Sequence, residues 1–400
     1  MITLIEAKNY RCLRYIRQPV DSFHVLVGCN GSGKTTFFDV ITFLGDLVSK
    51  GPLAAVHART EDCRDMFWCR SGRGFELAVE ASIPEKLRSL LQDADNNSVR
   101  YEIALDFDEE SRDIFIRAEK VLLKVPDSEP INLQHSLFSN SMVPPDTIIT
   151  PKRARGTTVL VNKVQNGNDN FYSEVYREKG RGWAPSYKFG PYKSALGNLP
   201  ADEANFPVTS WLKRLLTDNV AQLIPGSRPI RRASAPGQGC NFKTDGSNLP
   251  WVINHLITTD PDLFGQWLSH LRTAIPDLKN IRTVERPDDR HRYLLLEFSD
   301  GLSVPSWLAS DGTLRLLAFT ILAYLPGFSG IYMIKGPENG IHPTAVETLI
   351  RSLSSIKKAQ IFLTTYTPIV PGLIETEKIL GFSRTKEGAI HIIKGVHSLG

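Results

Sequence analysis

Gly28-Cys29-Asn30-Gly31-Ser32-Gly33-Lys34-Thr35 follows the apolar run Phe23-His-Val-Leu-Val and precedes Thr36-Phe-Phe-Asp-Val-Ile-Thr-Phe-Leu. The octet fits G-x-x-x-x-G-K-[ST]. Its glycines let backbone N–H groups turn inward onto phosphate with no side chain in the way. The run before it reads as a buried strand over 23–28, and the run after it as a helix from Gly33 to about Leu47. The pattern needs that strand–loop–helix order, because the helix start adds the positive end of its dipole. The stretch therefore predicts an α/β fold with a nucleoside triphosphate site. Lys34 would reach the β- and γ-phosphates, and the Thr35 hydroxyl would take Mg²⁺.

Outward from this loop, residues 2–8 read as a strand, and 75–82, 99–107 and 113–125 as antiparallel strands. From about 126 to 206 Pro, Gly, Ser and Asn are frequent, which predicts loops and short inserted elements. Helical periodicity returns over Pro207–Leu216, around Trp211, Leu212, Leu215 and Leu216, before a Gly/Pro/Ser-rich stretch at 225–249. A more regular half begins near Pro250, with strands expected at 292–298, 330–334 and 360–364 and helices near 312–325 and 343–356. Three regions are expected: an N-terminal lobe over 1–125, a partly irregular, basic insertion over 126–249, and a C-terminal lobe over 250–400. There is no internal repeat and no heptad run long enough for a coiled coil.

Composition narrows the class. With 42% hydrophobic residues over 400 positions the chain can bury a sizeable core, and a net charge of +4 is too mild to argue for nucleic acid. No apolar run approaches the roughly 20 residues of a membrane span. The N-terminus, Met1-Ile-Thr-Leu-Ile-Glu-Ala-Lys, reads as a strand and not a signal peptide. The cysteines at 12, 29, 63, 69 and 240 are odd in number and unpatterned, and Cys63 and Cys69 lack a second ligand pair for zinc. Reduced thiols in a cytoplasmic protein are the expectation.

The C-terminal half supplies three further pieces. Ser310-Asp-Gly-Thr-Leu-Arg-Leu-Leu opens a helix, Ile331-Tyr-Met-Ile-Lys-Gly-Pro-Glu-Asn-Gly-Ile-His-Pro ends a strand in a turn, and Gln360-Ile-Phe-Leu-Thr-Thr-Tyr-Thr-Pro is a strand with polar residues at its end. Taken alone, Ser310 or Asp311 could simply be a helix N-cap. The order of phosphate loop, long insertion, S-D-G-T helix start, P-E-N-G-I-H-P turn and T-T-x-x-P strand end resembles the SMC, RecF and OLD branch of the ABC-type ATPases. It is more similar still to small AAA-type ATPases with the same ABC-like head, often associated with anti-phage defence. The resemblance covers about residues 1–50 and 245–395, with Asp245-Gly-Ser-Asn-Leu-Pro-Trp as a further family segment.

The resemblance implies a P-loop NTPase fold with a mixed sheet, an antiparallel β-subdomain and an inserted region, with ATP and Mg²⁺ as cofactors. It implies that Gly28, Asn30, Gly31, Ser32, Gly33, Lys34, Thr35 and Thr36 bind nucleotide. Ser310, Asp311 and Gly312 would form a signature that contacts the γ-phosphate on a second subunit, and Asn339 to His342 a loop across the dimer interface. A homodimer or higher homo-oligomer follows. Asn9-Tyr-Arg-Cys resembles a segment near the adenine and phosphates.

The sequence also departs from that family. Two acidic residues are expected before Pro337: one to hold Mg²⁺ through water, one to polarise the attacking water. Lys335 and Gly336 stand there, and Tyr366 stands where a switch histidine is expected. Phe37 to Leu91 hold no glutamine, although the resemblance expects a metal-contacting Gln there. Glu338 remains, either a turn residue or a substitute base. An ATP-binding, dimeric scaffold or sensor with impaired hydrolysis is therefore expected, with a separately encoded effector such as a Toprim-type nuclease. The rivals are an active ATPase using Glu338, and a transporter's nucleotide-binding subunit, which the insertion and the S-D-G-T start disfavour.

Between Lys152 and Lys193 nine Lys or Arg stand against three Asp or Glu, with seven aromatics, and Arg228, Arg231 and Arg232 follow. The stretch reads either as a nucleic-acid surface, with Arg177, Lys179 and Arg181 at its centre, or as a solvated loop. His342 reads as structural or interfacial, and Asp288-Asp289 as a solvated hairpin turn.

Overall fold

The computed structural model describes residues 1–93, 95–125, 144–151, 154–175 and 184–395. The chain forms two compact units, each built from separated stretches: Met1–Asp21, Gly28–Val220 and Gly381–Ile393 in the first, and Ser22–Val27, Ala221–Leu380 and Lys394–Gly400 in the second.

The strands β1 (Ile2–Tyr10), β2 (Leu13–Pro19), β3 (Phe23–Val27), β4 (Gly74–Ser82), β5 (Ser98–Phe107), β6 (Ile114–Lys124), β7 (Thr157–Val164), β8 (Asp169–Phe171) and β9 (Ser186–Tyr187) come first along the chain. All but β3 form the sheet of the first unit, in the order β2-β1-β4-β5-β6-β7-β8-β9. Its pairs are antiparallel, as the alternating runs predict. The helix Lys34–Lys50 buries Phe37, Val40, Ile41, Leu44, Leu47 and Val48, a stripe at helical spacing. Phe43 on this helix meets Tyr10 and Phe75 of the sheet at ring-centroid distances of 5.6 and 5.5 Å. A Cβ at Gly45 would lie 2.2 Å from the Leu216 carbonyl, so the helix Pro207–Asp218 crosses at a point where only glycine fits.

The second unit continues with β10 (Val220–Leu223), β11 (Leu278–Glu285), β12 (Arg292–Phe298), β13 (Ser303–Pro305), β14 (Gly330–Lys335), β15 (Ala359–Thr364) and the start of β16 (Ile379–Arg384); β17 (Ile390–Lys394) follows. Its main sheet runs β10-β14-β15-β3-β16, and β16 passes into the first unit at Gly381. The pairs β14–β15 and β15–β3 are parallel. Every residue of β15 is buried, which accounts for its continuous apolar run. Val25, Ile334, Ile361 and Leu363 from these strands share one core with Leu314, Leu317, Leu349 and Leu353 from the helices Asp311–Thr320 and Pro343–Ser354. The hairpin β11–β12 carries Asp288 and Asp289 exposed at its turn, where Asp289 accepts from the His291 amide at 3.0 Å. The helices Leu249–Thr259 and Pro261–Arg272 were not legible in the sequence pattern, nor were β2, β11, β16 and β17.

Candidate functional site

Val27 ends β3 and Gly28 opens the loop. Gly28, Gly31 and Gly33 take φ of 146°, 77° and 92°, conformations that a side chain makes costly. Space is as restrictive as φ. A Cβ at Gly28 would lie 2.4 Å from the Phe382 carbonyl, and one at Gly33 2.8 Å from Ile390 Cγ1. Lys34 Nζ folds over the loop, donating to the Gly28 carbonyl at 2.6 Å, the Cys29 carbonyl at 2.9 Å and Ser32 Oγ at 3.3 Å. Burial pulls its ammonium below the ordinary lysine value. Asn30, Gly31 and Thr35 are exposed, and Thr36 is half-buried.

The residues present fit a nucleotide phosphate. No side chain caps the helix start at Gly33, and its first turn carries no acidic residue, so nothing competes with an anion for the dipole and the first amides. Beside that turn lies a cleft of about 370 Å³ whose walls include Arg11, Cys12, Thr36, Trp68, Arg384 and Glu387. The segment Asn9–Cys12, singled out in the sequence, thus meets the first turn of the phosphate-loop helix. Asn9 and Arg11 take positive φ of 58° and 52°. Tyr10 Oη and Arg11 Nη1 donate to Asp39 Oδ2 at 2.7 and 3.2 Å, which ties this segment to the helix. Trp68, Arg384 and Glu387 come from distant parts of the chain and carry no sequence signal of their own.

In the second unit Ser310 is the N-cap of Asp311–Thr320, its Oγ accepting from the Thr313 amide at 3.0 Å. Asp311 instead faces Arg231, whose Nη2 donates to it at 2.6 Å and holds its carboxyl below the usual range. Arg231 was read only as part of a basic stretch, so this pair is new. Gly312 is a close-approach position, since a Cβ there would lie 2.3 Å from the Gly340 carbonyl. The S-D-G start and the P-E-N-G turn are therefore packed together. Arg315, one turn along the helix, donates to the Gly336 carbonyl at 3.2 Å.

A family model described as "AAA domain, putative AbiEii toxin, Type IV TA system" matches residues 23–365. The chain belongs to this AAA-domain family. The AAA domain has the fold of an SMC head. It is similar to the SmcHead solved bound to the C-winged helix domain of ScpA, with a TM-score of 0.53 at 13% identity over 98% of this chain and 96% of that one. An Smc head with an extended coiled coil, bound to the C-terminal domain of ScpA derived from Pyrococcus furiosus, gives 0.49 at 12% identity over 98% of this chain and 95% of that one. A comparison with curated proteins returned no match. The α/β fold expected from the phosphate loop, an ABC-type ATPase head with an antiparallel subdomain, is the fold found, and the chain is an ATPase-type nucleotide-binding domain.

The positions where the sequence resemblance expects two acids have a definite geometry. Lys335 ends β14, exposed, in register with Thr364 of β15, which in turn pairs with Leu26 of β3. Gly336 has φ of 49°, and a Cβ there would lie 2.4 Å from Asn339 Nδ2. The exposed Asn339 side chain lies against Gly336 and would have to turn aside for a side chain there. Glu338 is buried, and its Oε1 accepts from Thr365 Oγ1 at 2.6 Å and from the Tyr366 amide at 3.2 Å. Its Oε2 is buried without a hydrogen-bond partner. Tyr366 projects into solvent, 62% exposed. His342 caps the helix Pro343–Ser354, with Nδ1 2.8 Å from Thr344 Oγ1.

For Mg²⁺ the fit is partial. Thr35 offers an exposed hydroxyl, while the described residues hold no group of three or more His, Cys, Asp or Glu able to cage a metal. Mg²⁺ would depend on Thr35 and on nucleotide phosphates. Lys152, Arg153, Arg177, Lys179 and Arg181, central to the expected nucleic-acid surface, lie outside the described residues. Among the described residues no helix is long and apolar enough to cross a membrane.

Proposed function

We propose that this AAA domain binds ATP at Gly28–Thr36 and hydrolyses it poorly, so that bound nucleotide holds an assembled state. The observation that carries the reading is Gly336: it supplies no carboxylate to polarise water, and its φ of 49° is a conformation that a side chain rarely adopts. Removing a general base typically costs about 10²–10⁴ in rate. Lys335 adds a positive charge where the family's acid would attract hydrated Mg²⁺, so the electrostatic term changes sign. Binding is spared because the phosphate loop keeps its glycines, its lysine and an uncapped helix start.

In this reading Ser310, Asp311 and Gly312 present a signature to nucleotide on a second copy, and two copies close as a homodimer or higher homo-oligomer. The SmcHead similar to it was solved bound to the C-winged helix domain of ScpA, which supports a scaffold that recruits a separate protein. A defence context, a cytoplasmic location and a Toprim-type nuclease effector belong to the same proposal and rest on the sequence resemblance.

A second reading is favoured by one observation: Glu338 Oε2 is buried and unpartnered, as a displaced base would be. Mg²⁺-dependent turnover of the parent, Lys34→Ala and Glu338→Gln separates the two. Parent turnover no higher than that of Lys34→Ala supports impaired hydrolysis. Robust parent turnover abolished by Glu338→Gln overturns it and makes Glu338 the base.

A further inference from the structure

Residues 146–150 of the first unit cross four neighbouring strands of its antiparallel sheet, and the backbone of Asp146, Ile148 and Thr150, with the hydroxyls of Thr147 and Thr150, meets charged side chains. The Asp146 carbonyl accepts from Lys8 Nζ on β1. The Ile148 amide donates to Glu76 Oε2 on β4 at 2.7 Å, and the Thr147 hydroxyl donates to the same carboxylate at 2.9 Å. The Ile148 carbonyl accepts from Arg100 Nη2 on β5 at 3.0 Å. The Thr150 amide and hydroxyl donate to Glu102, also on β5, at 2.7 and 2.8 Å. The Thr150 carbonyl accepts from Lys120 Nζ on β6. The sheet order is β1-β4-β5-β6, so the segment advances across the sheet strand by strand. Four extended residue steps span about 13 Å, close to three inter-strand spacings of about 4.8 Å.

This cover is unusual in its chemistry. Glu76, Arg100, Glu102 and Lys120 are all buried, and Arg100 is further paired with Glu6 at 2.8 Å and Glu80 at 3.1 Å. Buried ions gain little over well-packed apolar residues, so permanent cover would be better served by an apolar face. A charged face differs in one respect: it rehydrates readily when uncovered, where an apolar face would not. The segment is also bounded by Pro144, Pro145 and Pro151, which favour extended backbone. What the sheet reads is main chain, plus two hydroxyls three residues apart.

We propose that this charged face is a binding track for an extended polypeptide segment carrying hydroxyl residues at that spacing. Residues 146–150 are its resting occupant, exchanged for a partner's segment of the same kind. The proposal is independent of the nucleotide reading, and its test contains no nucleotide. The probe is a labelled peptide of sequence PPDTIITP, titrated by fluorescence anisotropy into the parent and into Thr147→Ala/Thr150→Pro, which removes both hydroxyls and one amide of the resident segment. The variant should bind at least tenfold more tightly than the parent, and adding Glu102→Gln should return it to the parent level. Hydrogen exchange on the unmodified parent supplies the second measurement. The Ile148 and Thr150 amides should exchange at least tenfold faster than those of β5. Exchange of these amides only together with β5, or equal peptide binding by parent and folded variant, overturns the proposal.

Discussion

The loop Gly28–Thr35 and the turn Lys335–Ile341 both follow buried parallel strands, yet their glycines do opposite things. In the loop, positive φ and close approach at Gly28 and Gly33 leave the helix start uncapped and free for an anion. In the turn, positive φ at Gly336 lets the chain fold back so that Asn339 lies against it. Glycine thus leaves room for a ligand in one place and tightens a turn in the other. In the function proposed above, a binding half and a hydrolytic half diverge in one chain without loss of the fold. In that reading binding rests on the loop backbone and Lys34, which the chain keeps, whereas hydrolysis depends on acidic side chains at 335 and 336, which it lacks.

The comparison breaks most readily at Lys34. Lys34→Ala should weaken ATP binding roughly 100-fold, the worth of two or so charge-assisted hydrogen bonds. Calorimetry with unchanged circular dichroism checks it, and equal affinity for the two proteins would remove the binding half of the argument. Gly336→Glu sharpens the other half. A non-glycine residue at that φ, pressed against Asn339, should cost about 1–3 kcal/mol in chemical denaturation, while Lys335→Asp at its exposed position should cost far less. If Gly336→Glu alone is tolerated and raises turnover, the turn is not closed in the way described here.

Carboxylates elsewhere test whether a buried acid on backbone amides is a structural device, as Glu338 is in part. Glu174 accepts from the Val208 and Thr209 amides at 2.6 and 2.9 Å, at the start of the helix Pro207–Asp218. Burial pushes its carboxyl up to about 7, against the pull of those donors and of the Thr209 hydroxyl. The folded state then binds a proton that the unfolded chain has released. Its contribution to stability is full below the ordinary carboxylate value of 4.5 and is lost as pH rises to about 7. The slope should be about 1.4 kcal/mol per pH unit at most. Denaturation of the parent and Glu174→Gln across that window should show the slope only in the parent. The smallest effect is expected from Arg231→Ala. Its partner Asp311 is well exposed, so melting should hardly move, and the change should appear instead in self-association if the signature faces a second copy.

Much of the fold was legible because period and punctuation sit close together in the chain. The strand, loop and helix at 23–50 lie where the sequence puts them, as do β4, β5, β6, β12, β14 and β15. The helices Leu249–Thr259 and Pro261–Arg272 were hidden by a start in Gly- and Pro-rich sequence and by the single residue, Asp260, that separates them. The strands β16 and β17 are short and take their meaning from pairing, not from composition.

By itself the sequence determined the phosphate loop with its strand and helix, and that a lysine and a glycine stand at 335 and 336. These are local matters of φ, spacing and side-chain type. Only the tertiary structure decided that Asn339 lies against Gly336, that Arg231 pairs with Asp311, and that Trp68, Arg384 and Glu387 meet Thr36 around one cleft. It also laid residues 146–150 across four strands. Each of these joins residues far apart in the chain, and no period or motif encodes such a meeting. It follows from how sheets and helices pack, which is settled by the summed burial of the whole core and not by any one segment.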